Sequence, residues 1–295
     1  MAPPKEFTAP STVVLSWARQ DIEQRLLFRG ARFTQVNYVL SGLVAFVLTG
    51  LFYLALLPFP GSMMYVKFMG IGRFVDIIIP YATMLLAFWC LTILFFKSRK
   101  LAFQRRTLDL QIIPSNTDFV LSSATVDQIL DSMYSLVDDP KQFVLFNRIE
   151  IALSNLRNMG RITDVDEILR TQNENDESFL DATYVVLGGF MWAIPILGFI
   201  GTVLGLSIAI GQFSVVLKSN SQQGGGLIES LKGVVAGLGT AFDTTLIALV
   251  AALFIQMWIT FLRKSEQEFL DSCSEYCLRK IVNRLRIMPY QAETE

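Results

Sequence analysis

"IPILGFIGTVLGLSIAIG", residues 194–211, sits inside an apolar run long enough to cross a bilayer, yet it holds a proline, a threonine and four glycines. A helix that served only as an anchor would fill those places with Leu and Ile, because Gly costs about 1 kcal/mol and Pro about 3 kcal/mol relative to Ala in a helix interior. At 100° per residue, Gly198, Gly201, Thr202, Gly205, Ala209 and Gln212 fall within about one third of the helix circumference. Leu197, Ile200, Leu204 and Ile208 form the opposite side. A stripe of small residues lets membrane helices approach closely where no hydrophobic drive separates helix from lipid.

A second apolar run repeats the pattern. Gly237, Thr240, Ala241, Thr244, Thr245, Ala248, Ala251 and Ala252 share a small face, and Phe242, Leu246, Leu249, Val250, Leu253 and Phe254 a bulky one. Two matching stripes imply two facing helices. The concentration of hydroxyls leaves two readings open, tight helix packing and a narrow hydrated lumen. Threonine hydroxyls in membrane helices also satisfy the carbonyl four residues back.

The chain as a whole is membrane material: 52% of its residues are hydrophobic, 17% are charged and its mean hydropathy is +0.46. It contains no histidine, so a His-dependent hydrolase or zinc enzyme lacks its usual groups, and no enzymatic activity is expected. Three cysteines, Cys90, Cys273 and Cys277, make no disulfide framework and read as free thiols. A net charge of -1 points to no nucleic-acid partner.

Four segments reach spanning length: Val36–Leu57, Phe74–Phe96, Tyr184–Leu217 and Gly233–Leu262. The last two would run about 45 to 50 Å as helices, against about 30 Å of hydrocarbon, and are therefore expected to protrude. Arg19, Arg25, Arg29 and Arg32 precede the first segment; Lys97, Arg99, Lys100, Arg105 and Arg106 follow the second; Arg263, Lys264, Arg279, Lys280, Arg284 and Arg286 follow the fourth. This asymmetry predicts both termini and the 97–183 stretch to be cytoplasmic. The expectation is an all-α polytopic membrane protein with four transmembrane helices, the last two extended into a helical cytoplasmic domain. Its parts run 1–35 (an N-terminal arm), 36–96, 97–183, 184–262 and 263–295.

The arm lacks a continuous signal-peptide core and reads as an amphipathic helix lying on the membrane surface. Within 97–183, "TVDQILDSMYSLVDD" and "KQFVLFNRIEIALSNLRNM" show three- and four-residue apolar spacing, broken at Asp139-Pro140 and Gly160. "ITDVDEILR" follows with a capping pattern, and no P-loop is present. Asp243 in the fourth segment costs on the order of 2.5 to 3.5 kcal/mol to insert, so pairing, hydration or ion handling must account for it. Its helical angle points it nearly opposite to Thr245. Asp76, beside Arg73, reads as an interfacial pair.

The residues "PILGFIGTVLGL" (195–206) and "GLGTAFDTTLIAL" (237–249) resemble the two membrane signatures of the MotA/TolQ/ExbB proton-channel family. The resemblance implies a homopentamer in the bacterial inner membrane around two copies of a single-span MotB/TolR/ExbD-like partner, whose aspartate carries H+ or Na+ while the assembly does mechanical work. No other cofactor is implied. Carried over by position, Thr202 and Thr245 match the signature threonines and Pro195 the proline of the channel-forming helix. Thr240 stands where many relatives place a glutamate, leaving Asp243 as a candidate substitute. Thr202, Thr240, Asp243 and Thr245 are thus the expected ion path, with Pro195, Gly198, Gly201, Gly205, Gly237, Ala241 and Ala248 as the channel wall against which the partner helix packs. The rival from another class is a secondary transporter or stand-alone channel, which duplicated halves and broken helices would mark; neither is seen. A scaffold for envelope proteins is the third reading.

Overall fold

The computed structural model describes residues 15–20, 22–25, 31–60, 62–69, 74–110, 112–113, 121, 123–159, 162–219 and 226–285. Among them are nine α-helices: α1 (Trp17–Gln20), α2 (Ile22–Arg25), α3 (Tyr38–Leu56), α4 (Met63–Met69), α5 (Phe74–Arg105), α6 (Ser123–Leu136), α7 (Val144–Met159), α8 (Ile162–Ser219) and α9 (Gly226–Lys280). Four of these, α3, α5, α8 and α9, are long and apolar enough to cross a membrane. The protein is an all-α, multi-pass membrane protein, as its composition requires.

The chain divides into two compact units. A polar unit comprises Met1–Asn37, Phe96–Thr183 and Leu262–Glu295, and a membrane unit comprises Tyr38–Phe95 and Tyr184–Phe261. Helices α5, α8 and α9 each contribute residues to both. The protrusion expected from the length of the last two spans is larger than the sequence suggested. Helix α8 begins at Ile162, so "ITDVDEILR" is its first turns, and it runs for 58 residues, about 87 Å. The second span likewise continues beyond Phe96 to Arg105. Periodicity of the apolar residues marks where a helix is buried in lipid; hydrogen bonding carries the same helix on through polar sequence.

In the polar unit, the break at Asp139-Pro140 is real. Asp139 caps a single 3-10 turn through Lys141 N–H (3.1 Å) and proline occupies its first position, which separates α6 from α7. The core is aromatic: Trp17 meets Phe103 and Phe143 at 5.7 and 5.2 Å between ring centroids, and Phe143 meets Phe146. Trp17 itself is buried, so the described part of the N-terminal arm departs from the expected surface-lying helix. It is two short helices folded into the polar unit. The reason is Glu23, whose buried carboxylate accepts from Lys100 Nζ (2.7 Å), Ala31 N–H (3.0 Å) and Asn37 N–H (2.7 Å). A charge so completely ligated has no reason to face solvent.

A second buried cluster joins three helices of this unit. Lys97 Nζ on α5 donates to Thr183 Oγ1 on α8 (2.9 Å) and lies 3.2 Å from Glu266 Oε1 on α9. A third ties α7 to the same two helices, where Arg148 binds Asp176 (2.6 Å) and Ser274 (2.7 Å). The three cysteines are free and buried.

Candidate functional site

In the membrane unit, α8 and α9 meet along the two small stripes. A methyl group placed on Gly198 would lie 2.7 Å from Ala248 Cβ and 3.2 Å from Thr245 Cα. One on Gly201 would strike Thr244 Oγ1 and lie 3.0 Å from Thr244 Cβ. One on Gly205 would lie 2.7 Å from Ala241 Cβ and 3.1 Å from Ala241 Cα. Gly237 closes the row more loosely, 3.5 Å from Ala209 Cβ. At Gly198 and Gly205 the obstacles are backbone and Cβ atoms that no rotamer change can move, so these two positions must be glycine for the helices to touch as they do.

Tight packing is one of the two arrangements that the sequence left open, and the seam shows it. The stripes are closed on each other within one chain, and Ala209, Ala241 and Ala248 are buried between the helices. Gly198, Gly201, Gly205, Gly237, Ala241 and Ala248, expected as the channel wall, lie in the α8–α9 seam. Pro195 sits half-buried inside α8, which passes through it without interruption.

The two signature threonines come together at the seam. Thr202 Oγ1 and Thr245 Oγ1 are in direct hydrogen-bond contact. Both also donate toward the carbonyl oxygen of Gly198, at 3.1 and 2.9 Å. Three oxygens thus share two hydroxyl protons, so at any instant one O–O edge of the triangle carries no proton and a lone pair is left over. Both residues are half-buried, so that oxygen cluster is neither fully sealed nor fully wet. Such a group can accept a hydrogen bond from a hydrated proton or contribute oxygens to a dehydrated cation. Thr244, one residue away, is instead turned back onto Ala241 O (2.9 Å).

The remaining expected ion-path residues separate from this pair. Asp243 points away from Thr245 and forms an ion pair with Lys67 on α4, Oδ1 to Nζ 2.9 Å, with 34% and 26% of the two side chains exposed. Sequence reasoning missed Lys67 because it lies far off in the chain, on a short helix between the first two spans. The Thr240 side chain and the Asp76–Arg73 pair lie outside the described residues.

Contacts also show where Asp243 sits along its helix. Gly201 and Thr244 lie beside Ile79 near the start of α5, and Tyr53 near the end of α3 packs on Tyr81 at 5.4 Å. The turn carrying Asp243 is therefore toward the end of the membrane unit where α3 gives way to α4, within reach of a lysine on that connection.

No curated protein and no solved structure matches the chain. The pattern that defines the MotA/TolQ/ExbB proton channel family matches residues 138–275, a stretch containing all of α7, all of α8 and all but the end of α9. It spans both signatures and the glycine seam between them. Over residues 138–275, the part that holds the paired threonines, this chain is similar to the MotA/TolQ/ExbB proton channel family.

Proposed function

We propose that this chain is the pore-forming, stator-like subunit of a proton- or sodium-driven rotary membrane motor. Five copies would surround two copies of a single-span MotB/TolR/ExbD-like partner in the bacterial inner membrane, with both termini cytoplasmic. Ion flow past the partner's membrane carboxylate would turn it relative to the ring and do work in the cell envelope. One observation supports this above the others: the two signature-bearing helices place Thr202, Thr245 and the Gly198 carbonyl in one half-buried cluster of oxygens. A helix pair built only to pack would need the glycines and alanines but not the touching hydroxyls.

The division of labour differs from the one the signatures suggest. Rigidity comes from the glycine seam, and the ion meets only the hydroxyl edge of that seam. A partner helix would therefore run against the outward faces of α8 and α9, where Phe199, Val203 and Phe242 are exposed.

The test is a pair of near-isosteric substitutions. Thr202→Val and Thr245→Val remove the hydroxyls and keep the β-branched shape, so the complex purified from its host should keep its subunit ratio by native mass spectrometry. Ion uptake in proteoliposomes should fall by about tenfold or more, the scale of one lost hydrogen bond to a charged group. Wild-type uptake in the double variant, or a purified monomer with no single-span companion, would refute the proposal.

A further inference from the structure

Lys67 has no place in the signatures and none in the oxygen cluster, yet it makes the ion pair that Asp243 requires. Helix α4 is short, started by Ser62, whose hydroxyl accepts from Tyr65 N–H at 3.1 Å. Its contacts to the rest of the membrane unit include Phe68 on Phe52 at 5.2 Å between ring centroids and the Lys67–Asp243 pair. Seven residues cannot hold a helical shape in water by themselves, so these tertiary contacts hold α4 in place. The pair also works in the other direction. Asp243 precedes Thr244 and Thr245, and those two residues are the ones that touch Gly201, Gly198 and Thr202 across the seam.

The geometry points to Lys67 and Asp243 as positioning residues of the ion path: the pair is a latch that fixes α4 against α9 and sets the azimuth of the helical turn bearing Thr244 and Thr245. Asp243 acts on the ion through the threonines and does not carry it. This assignment rests on the reading of Thr202 and Thr245 as the ion path. Its chemistry makes opposite predictions from a carrier role. A carrier needs its carboxylate whatever stands opposite; a latch needs only one charge of each sign across the gap, in either order.

Four full-length chains decide it, each purified with its native partners: wild type, Lys67→Met, Asp243→Asn and the exchanged pair Lys67→Asp with Asp243→Lys. Hydrogen exchange of the α4 amides, residues 63–69, reads the latch without reference to conduction. Both single variants should exchange about tenfold faster than wild type, and the exchanged pair should recover protection. Ion uptake in proteoliposomes reads the effect on the path: both single variants should lose most of it and the exchanged pair should regain it. Uptake at the wild-type level in Lys67→Met overturns the assignment, as does an exchanged pair no better than the single variants in either readout. If wild type itself conducts nothing while the exchange data follow the expected order, the ion-path reading fails and the latch stands.

Discussion

Gly205 shows what one residue decides here. A single added carbon would meet the Cβ and Cα of Ala241 at 2.7 and 3.1 Å, whereas Gly211, further along the same helix, has nothing within 4 Å of the same position. The two glycines look alike in the sequence and are opposites in the structure. Gly205→Ala should lose about 1 to 3 kcal/mol through forced separation of α8 and α9. Gly211→Ala should gain about 0.5 to 1 kcal/mol from helix propensity alone. Unfolding of the two variants in a denaturing-detergent titration checks the difference in sign; equal effects would mean the seam is looser than its distances indicate. At the same scale, helical angles correctly set Asp243 apart from Thr245, because a 200° separation on one helix needs no tertiary information. That Asp243 meets Lys67 could not be read from either residue.

At the scale of the element, the N-terminal arm is the departure that teaches most. Its arginines among apolar residues read as a surface-seeking helix, but two short helices fold inward around Trp17 and Glu23. The buried carboxylate of Glu23 accepts from the backbone N–H groups of Ala31 and Asn37 and from one lysine of α5, so it holds the turn from 31 to 37 in shape and docks it at once. Glu23→Ala leaves the Lys100 ammonium buried without its carboxylate and should cost about 3 kcal/mol or more. Lys100 Nζ keeps its bond to Gln35 O (2.7 Å), so Glu23→Gln should be milder than Glu23→Ala. Thermal unfolding, together with protease sensitivity of the arm, measures both. Helices α6 and α7 were legible in advance, because Asp139-Pro140 breaks a helix by local stereochemistry that no packing can override.

Across the whole molecule, each unit is assembled from stretches far apart in sequence, and α5, α8 and α9 supply residues to both. In the polar unit, Lys97 on α5 bridges Thr183 on α8 and Glu266 on α9, with the Lys97 and Glu266 side chains each 1% exposed. Burying an ion pair is costly and its loss on one side costlier still. Lys97→Met alone should therefore destabilise the protein by about 3 to 5 kcal/mol, while the double change Lys97→Met with Glu266→Leu should recover most of that loss. A double variant as unstable as the single one would show that the cluster does more than satisfy its own charges. The comparison is an unfolding titration of both variants beside wild type.

The sequence by itself determined the class, the spans, the two facing stripes and the family signatures, since hydropathy, period and local motifs act over a few helical turns and depend on nothing distant. It also implied that α8 and α9 protrude. Only the tertiary structure decided how the small stripes meet, whom Asp243 binds, and that Trp17 and Glu23 of the arm are buried. Those are contacts between residues tens to hundreds of positions apart, and a one-dimensional pattern states which surface is small or charged without stating what will lie against it. Gly198, Gly201 and Gly205 are the case in point: their spacing announces a close approach, and the fold supplies α9 as the helix that approaches.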